Sequence, residues 1–508
     1  MNYDTEFNTG PASDRDVDLV IFLVGQDEDS PDLSDVPDLP EEPLKDFDAN
    51  KNDVQVFYDG DFVADRLALL GIGDESDLDE SDLTELAGKA QSVASDRTVE
   101  EAELVFPLFL DVDREKAAQN LVLGMQLAGY DFDQYKTDGD DAEDGEESTD
   151  DDVELESFDL LLEDRRSATT VSKGLERAKK LAVAMTFSRD LGNTPANELV
   201  PDDLASEAES LASEYDTLKT TVWDESDLED DGMNLILAVG KGSENPPRLA
   251  KITHEPGDYK AELALAGKGV TFDTGGISIK PSKKMHEMKF DMCGAAAVLG
   301  TMRAVAEIGL PLKVHGFVPS AENMPGQRAV KPGDVVTGYF GKSVEVINTD
   351  AEGRLLLADT LGYISEELAE DLDCLVDFAT LTGACITALG HSAAGLMGLD
   401  DELCSTLEEA GQSSNEPVWQ LPLWEEYSEK LESDVADVKN IGGDAGAITA
   451  GAFLREFVDE EKIDQWAHLD IAGTGWGMKQ LSYRPKGGTG FGVHLMDEFF
   501  RDHFSLDG

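Results

Sequence analysis

Four carboxylates in three short segments are the first sign of chemistry in this chain. Gly267-Lys268-Gly-Val-Thr-Phe-Asp273-Thr-Gly-Gly-Ile-Ser-Ile-Lys280-Pro281 supplies Asp273, Met288-Lys-Phe-Asp291 supplies the second, and Asn348-Thr-Asp350-Ala-Glu352-Gly-Arg354 supplies two more. Gathered in one partly buried cleft, four carboxylates cannot all stay ionised unless strong cations lie among them. Two divalent ions balance four negative charges. Hard carboxylate oxygens suit zinc, manganese, magnesium or cobalt, and the lack of a His/Cys cluster argues against a structural zinc site. Two ions about 3.5–4 Å apart can lower the pKa of a shared water and polarise a carbonyl at once, so the chemistry expected is hydrolysis. Lys280 and Arg354 are then cations left over for a developing oxyanion or a bound anion.

Each fragment also has a plainer explanation. Thr349 and Glu352 match a capping box for the helix that follows, and Asp273-Thr-Gly-Gly reads as a turn. Lys268 and Lys280 could sit in solvent, and Asp291 could cap a helix beginning near Cys293. These local explanations do not account for all the fragments together. Other motifs fail on inspection. Gly267-Lys268-Gly269 and Gly341-Lys342-Ser343 lack the glycine a phosphate loop needs, and Asp273-Thr-Gly275 has no second copy to share a proton with. His254-Glu255 and His286-Glu287 lack the second histidine of a zinc-protease helix, and Cys293 reads as a small buried residue.

The elements that must position these residues alternate along the chain. Strand-like runs at 234–239, 263–266, 314–318, 344–347, 375–378 and 468–471 are interleaved with helical stretches at 293–308, 353–369 and 447–459. That alternation predicts an α/β fold with a largely parallel sheet covered by helices, whose ligands bind beyond the carboxyl ends of strands. Residues 1–165 read as a first α/β domain, with strands at 18–24, 54–58 and 103–110, a helix at 114–128 and an acidic insertion at about 138–156. Residues 166–192 suit a linker helix, and a catalytic domain is expected over 193–508.

With 108 Asp and Glu against 40 Lys and Arg, the formal net charge is −68. Molar salt, with a Debye length of about 3 Å, screens most of that self-repulsion, so a saline cytoplasm is the natural setting. Nucleic acid and anionic membranes are unfavourable partners for such a surface. The four cysteines have no metal-type spacing and read as reduced thiols, and no apolar run is long enough to span a bilayer.

Together the segments resemble the leucyl aminopeptidase (cytosol aminopeptidase) family of dinuclear metallopeptidases. The signature is Asn348-Thr-Asp-Ala-Glu-Gly-Arg-Leu355. The two segments around Asp273 and Asp291, with Asn193-Thr-Pro-Ala-Asn197, Ala321-Glu-Asn-Met-Pro325 and Thr380-Leu-Thr-Gly-Ala384, also match in order, over roughly residues 175–500. The resemblance implies an N-terminal macro-like α/β domain and a C-terminal three-layer α/β/α catalytic domain with a mostly parallel central sheet. It implies an aminopeptidase that takes peptides with a free α-amine, and a homohexamer. Lys268, Asp273, Asp291 and Glu352 would hold the tighter metal, and Asp273, Asp350 and Glu352 the more exchangeable one. Zinc or manganese is expected first, magnesium or cobalt next. Arg354 would hold a bicarbonate ion as general base, and Lys280 would stabilise the tetrahedral intermediate. Met288, Thr380, Gly383 and Ala472 would line a pocket for an apolar first residue such as Leu, although Thr474-Gly475-Trp476 departs from relatives with a larger apolar residue there. A nucleic-acid-binding regulator and a two-metal phosphatase or nuclease are the rival functions. The first needs a basic groove, which a charge of −68 opposes. The second is separated by assay, peptide amide against phosphodiester.

Overall fold

The computed structural model describes residues 3–27, 30–79, 81–136, 154–477, 481–484 and 486–506. The acidic stretch at 138–156 therefore lies outside the described residues up to position 153. The chain divides into two compact units, Met1–Thr186 with Gln480–Pro485, and Phe187–Lys479 with Lys486–Gly508. The division falls within one helix, Ala168–Asn193.

In the first unit the strands are β1 (Phe7–Thr9), β2 (Leu19–Asp27), β3 (Ser30–Pro31), β4 (Val54–Phe57), β5 (Arg66–Asp74), β6 (Glu101–Val105) and β7 (Ser157–Leu162). They form one sheet in the order β1-β7-β6-β2-β5-β4, with β3 beside β2. β1, β7, β6, β2 and β5 run parallel, and β4 closes an edge antiparallel to β5. The central strand β2 carries Leu19-Val-Ile-Phe-Leu-Val24 buried throughout, the unbroken apolar run expected of a strand covered on both faces. Asp113 starts the helix Arg114–Ala128 by accepting hydrogen bonds from the amides of Glu115 and Lys116, so the expected boundary has a cap behind it.

The second unit is built on a nine-stranded sheet. Its strands are β8 (Leu218–Trp223), β9 (Arg248–His254), β10 (Glu262–Gly267), β11 (Gly269–Asp273) and β12 (Lys313–Asn323), then β15 (Cys374–Ala379), β16 (Ala394–Gly398), β17 (Val418–Gln420) and β19 (Trp466–Asp470). The order is β17-β16-β19-β15-β10-β12-β9-β8, with β11 on β12. The central run β19-β15-β10-β12 is parallel, while β16, β9 and β8 turn antiparallel toward the edges. Alternate residues of one strand serve two cores. Leu263 and Leu265 of β10 pack with Leu204, Ala296 and Phe499 from helices on one face, whereas Ala264 and Ala266 pack with Leu356, Leu361 and Phe453 from helices on the other. The result is a three-layer α/β/α arrangement with a mostly parallel centre.

Three expectations change. The strand read at 103–110 ends at Val105 as β6, and residues 106–110 are not strand. Residues 234–239, read as a strand, form the helix Asn234–Gly240. The five apolar residues in a row at 235–239 do not distinguish a buried strand from a buried helix. The choice is made by a distant carboxylate: Asp359, fully buried, accepts hydrogen bonds from the amides of Leu235 (2.7 Å) and Ile236 (3.0 Å) at the first turn. The run at 344–347 is a strand, but not one of the main sheet. As β14 (Ser343–Val346) it pairs with β13 (Asp334–Thr337) and β18 (Val438–Lys439) in a separate three-stranded sheet. Val344 and Val346 are buried while Ser343 and Glu345 are partly open, an alternation suited to a one-sided sheet rather than to a doubly covered centre.

Candidate metal centre

Lys268 leaves the end of β10 through two backbone bonds, its amide to the Phe378 carbonyl and its own carbonyl to the Ala295 amide, each 2.9 Å. Its side chain passes against Gly353, where an added Cβ would lie 2.4 Å from the lysine Cε. Only glycine leaves that space. The Lys268 ammonium then stands 2.8 Å from Asp291 Oδ1 and 3.0 Å from Glu352 Oε1. Asp291 sits at the entrance to the helix Cys293–Ile308, and Glu352 immediately precedes the helix Gly353–Glu367, so the positive ends of two helix dipoles favour their charge.

Asp273 ends β11. Its Oδ1 accepts from the Gly275 amide (2.8 Å) and from Asn323 Nδ2 (2.8 Å). Gly275 has φ +84, a left-handed turn that brings Asp350 close: an added Cβ there would lie 2.6 Å from Asp350 Oδ1. Lys280 reaches into the same space, with Nζ 2.7 Å from Asp273 Oδ2 and 2.6 Å from Asp350 Oδ1. Asp273, Asp350 and Glu352 each offer a ligand oxygen, and these three oxygens lie within 4.8 Å of one another. Asp291 joins them through Lys268. Its Oδ1 is also held by the Thr380 hydroxyl (2.7 Å), while its Oδ2 is buried without a hydrogen-bond partner.

The local explanations of these residues now separate. Thr349 caps nothing: its hydroxyl donates to the Gly275 carbonyl (2.6 Å) and accepts from the Ser278 amide (2.8 Å), and Glu352 turns to Lys268. Asp291 stands just before its helix without capping it through the side chain, and Lys268, 2% exposed, is not a solvent residue. The turn at Asp273-Thr-Gly-Gly is real and serves the cluster as well.

Electrostatics show why cations belong here. At 4.8 Å and an effective dielectric of about 20, a pair of carboxylates repels by roughly 3–4 kcal/mol, before any cost of burial. Burial, with the charges of Glu352 and Asp291, pushes Asp273 above the usual carboxylate range, and burial does the same to Asp291 and Asp350. Glu352 is held below its usual value because Lys268 and Lys280 outweigh its burial. Burial alone would lower both lysines, yet the surrounding carboxylates raise them. Two ammoniums against four carboxylates leave a surplus of negative charge. The oxygen-rich donor set and the orphaned Asp291 Oδ2 fit divalent cations, and a lysine beside a dication can ligate as the neutral amine.

Arg354, on the first turn of the helix Gly353–Glu367, is 6% exposed. One guanidinium nitrogen donates to the Asn440 carbonyl (2.6 Å), the group lies over the Phe453 ring, and its Nε has no hydrogen-bond partner. Burial lowers its pKa to about 10, against the pull of Glu352 and Asp470, which leaves it charged at neutral pH.

The expected pocket residues lie on three separate segments. Met288 is in the 3-10 turn Met285–Phe290 that leads to Asp291, and Gly383 opens the helix Gly383–Leu389 with free space where a side chain would stand. Thr380 and Ala472 are tied to one region by Asp470. That buried carboxylate accepts from the amides of Leu381 (3.1 Å), Thr382 (3.3 Å) and Ala472 (3.2 Å) and from the Thr382 hydroxyl (2.6 Å). In the departing segment, Trp476 stacks on Phe290 with ring centres 6.0 Å apart. Asn323, Asn440 and Asp470 organise this centre but stand in no motif that assigns them a role. Asn323 lies inside Ala321-Glu-Asn-Met-Pro325, and only its partners, the carbonyl of Thr349 (2.9 Å) and Asp273, show its use.

Comparison with known proteins agrees in extent. Residues 186–496 match the model described as cytosol aminopeptidase family, catalytic domain, and residues 43–139 the N-terminal domain of the same family. A probable cytosol aminopeptidase of Geotalea uraniireducens (strain Rf4) is 44% identical over 448 residues, 87% of this chain and 86% of that protein. One from Azotobacter vinelandii (strain DJ / ATCC BAA-1303) is 43% identical over 445 residues, 86% of this chain and 85% of that protein. Among solved structures, the bottromycin maturation enzyme BotP in complex with Mn superposes with a TM-score of 0.83 at 31% identity, covering 96% of this chain and 100% of that one.

Proposed function

The chain belongs to the cytosol aminopeptidase family of metal-dependent hydrolases, and from that premise we propose that it removes single residues, preferably apolar ones such as Leu, from peptides with a free α-amine. The observation that carries the reading is the convergence of Asp273, Asp350 and Glu352 within 4.8 Å, with Asp291 joined to Glu352 through Lys268. Lys268, Asp273, Asp291, Asp350 and Glu352 would hold two divalent ions per chain, zinc or manganese first and magnesium or cobalt next, with Asp273 and Glu352 shared. Bound there, the two ions would supply the attacking hydroxide between them, orient the substrate amine and polarise the scissile carbonyl.

The chain's own residues do the rest. Lys280, already pointing at Asp273 and Asp350, offers its ammonium to the oxyanion of the tetrahedral intermediate. Arg354 is charged and buried and bonds no carboxylate among the described residues, so it suits a small anion, and a bicarbonate held there would act as general base. Met288, Thr380, Gly383 and Ala472 would receive the first side chain, and the open space at Gly383 admits one. The enzyme would work in the cytoplasm as a homohexamer. No helix among the described residues is long and apolar enough to cross a membrane.

Two measurements test this. Chelation should abolish release of leucine from Leu-Gly-Gly and a divalent ion restore it, while Asp273→Asn stays inactive under both conditions. The N-acetylated peptide should remain intact, because acylation removes the basic lone pair of the amine. Equal cleavage of both peptides, or full turnover after chelation, would sink the reading.

A further inference from the structure

Asn440 lies far from the carboxylates in sequence, at the end of β18, and is fully buried. β18 runs parallel to β14, and the Asn440 amide continues the ladder by donating to the Glu345 carbonyl at 3.0 Å. Its side chain then meets the segment that leads from β14 to the candidate ligands. The carbonyl oxygen accepts from the amides of Ile347 (2.8 Å) and Asn348 (3.2 Å), and the amide nitrogen donates to the carbonyls of Asn348 (2.6 Å) and Ala351 (3.2 Å). The backbone carbonyl of the same residue takes Arg354 Nη1.

A primary amide has two N–H donors and an oxygen able to accept twice, so every hydrogen-bonding position of this side chain is filled. An aspartate of the same shape would face the carbonyls of Asn348 and Ala351 with lone pairs, and an alanine would leave the amides of Ile347 and Asn348 and the Ala351 carbonyl unanswered in a partly buried place. We propose that Asn440 is a positioning residue that clamps residues 347–351, and through its carbonyl Arg354, in the arrangement that presents Asp350 and Glu352 to metal and Arg354 to an anion. This rests on the two-ion reading of the site. One residue thus couples the carboxylate loop to the arginine.

The test compares Asn440→Ala with Val438→Ala, a cavity in the same short strand that removes none of these bonds. Amide exchange at Ile347 and Asn348 is followed in the full-length, metal-free protein, and zinc or manganese binding by calorimetry. Asn440→Ala should speed exchange at both amides at least tenfold, weaken metal binding by about 10–100-fold, and lower kcat with KM changed less than about threefold. Val438→Ala should leave the three readouts within about threefold at comparable loss of Tm. Unchanged exchange in Asn440→Ala, or an equal effect from Val438→Ala, overturns the proposal. If Asn440→Ala does not fold, Asn440→Asp, which keeps the acceptor for Ile347 and Asn348 but loses the donors to Asn348 and Ala351, should weaken metal binding by the same factor of about 10–100, and binding within about threefold of wild type overturns the proposal. Should the wild-type chain bind neither ion, the two-ion reading fails, and the exchange data still decide whether Asn440 clamps the loop.

Discussion

Lys280 and Lys268 occupy similar-looking positions, each between two carboxylates, but their surroundings assign them different work. Lys268 is almost sealed at 2% exposure and touches Asp291, Glu352 and the Thr380 carbonyl (3.2 Å), whereas the Lys280 side chain keeps 22% of its surface open. In the proposed two-ion site four carboxylates and two dications would already balance, so the sealed ammonium of Lys268 would add uncompensated positive charge, which a neutral amine there would remove. The half-buried ammonium of Lys280 carries less of that cost and, in the proposed function, would meet charge as it develops on substrate. Lys280→Ala and Arg354→Ala should therefore lower kcat by about 10–1,000-fold while each chain still binds two metal ions, as counted by elemental analysis of the dialysed protein. Loss of metal from either variant would give that residue a ligand-holding role instead.

At the scale of elements, the pairing of β15 with β19 buries an ion pair beneath the site. Asp377 and His468 are opposite each other in the parallel register, both fully buried, with His468 Nδ1 2.6 Å from Asp377 Oδ1 and Trp466 Nε1 donating to Asp377 Oδ2 at 2.9 Å. Burial opposes charge on the imidazole, but Asp377 outweighs it and raises its pKa. A folded-state pKa above the unfolded value near 6.5 means the stabilisation is complete below about pH 6.5 and fades as pH rises through the raised value. The Tm advantage of wild type over His468→Asn should therefore be largest at about pH 6 and shrink steadily as pH rises above about 6.5. A difference that does not change with pH would show the histidine to be neutral throughout. β19 also carries Asp470 two residues on, which fastens the segments bearing Thr380 and Ala472.

Over the whole molecule, charge is the property that departs most from an ordinary globular protein. A net charge of −68 repels itself over any distance that salt does not screen, and six such chains in the proposed hexamer would add repulsion across every interface. Activity should require molar sodium or potassium chloride, and dilution into low-salt buffer should bring dissociation or unfolding. Divalent ions that bind only the folded chain should slow this loss by mass action. Residual activity and light scattering across a salt series, with and without added metal, measure both effects. A chain that remains an active oligomer in millimolar salt would remove the high-salt reading without touching the peptidase assignment.

What the sequence determined by itself was chemistry carried by contiguous residues. The glycine-bracketed segments at 267–281 and 348–355 announce their carboxylates because a backbone that must pass close to its neighbours needs glycine at particular places, and the order of residues records that need. The double-faced strands of the main sheet are legible for a similar reason: an unbroken apolar run such as Leu263-Ala-Leu-Ala266 has nowhere to go but between two layers. Local order could not reveal partners distant along the chain. Whether 234–239 became helix or strand was settled by Asp359, more than a hundred residues later, and whether Thr349 and Glu352 formed a cap was settled by Gly275 and Lys268. Asn440 and Asp470 carry no motif at all. Their roles exist only once β18 lies beside β14 and β19 beside β15, because a hydrogen bond acts over about 3 Å and only the folded chain brings such groups that near.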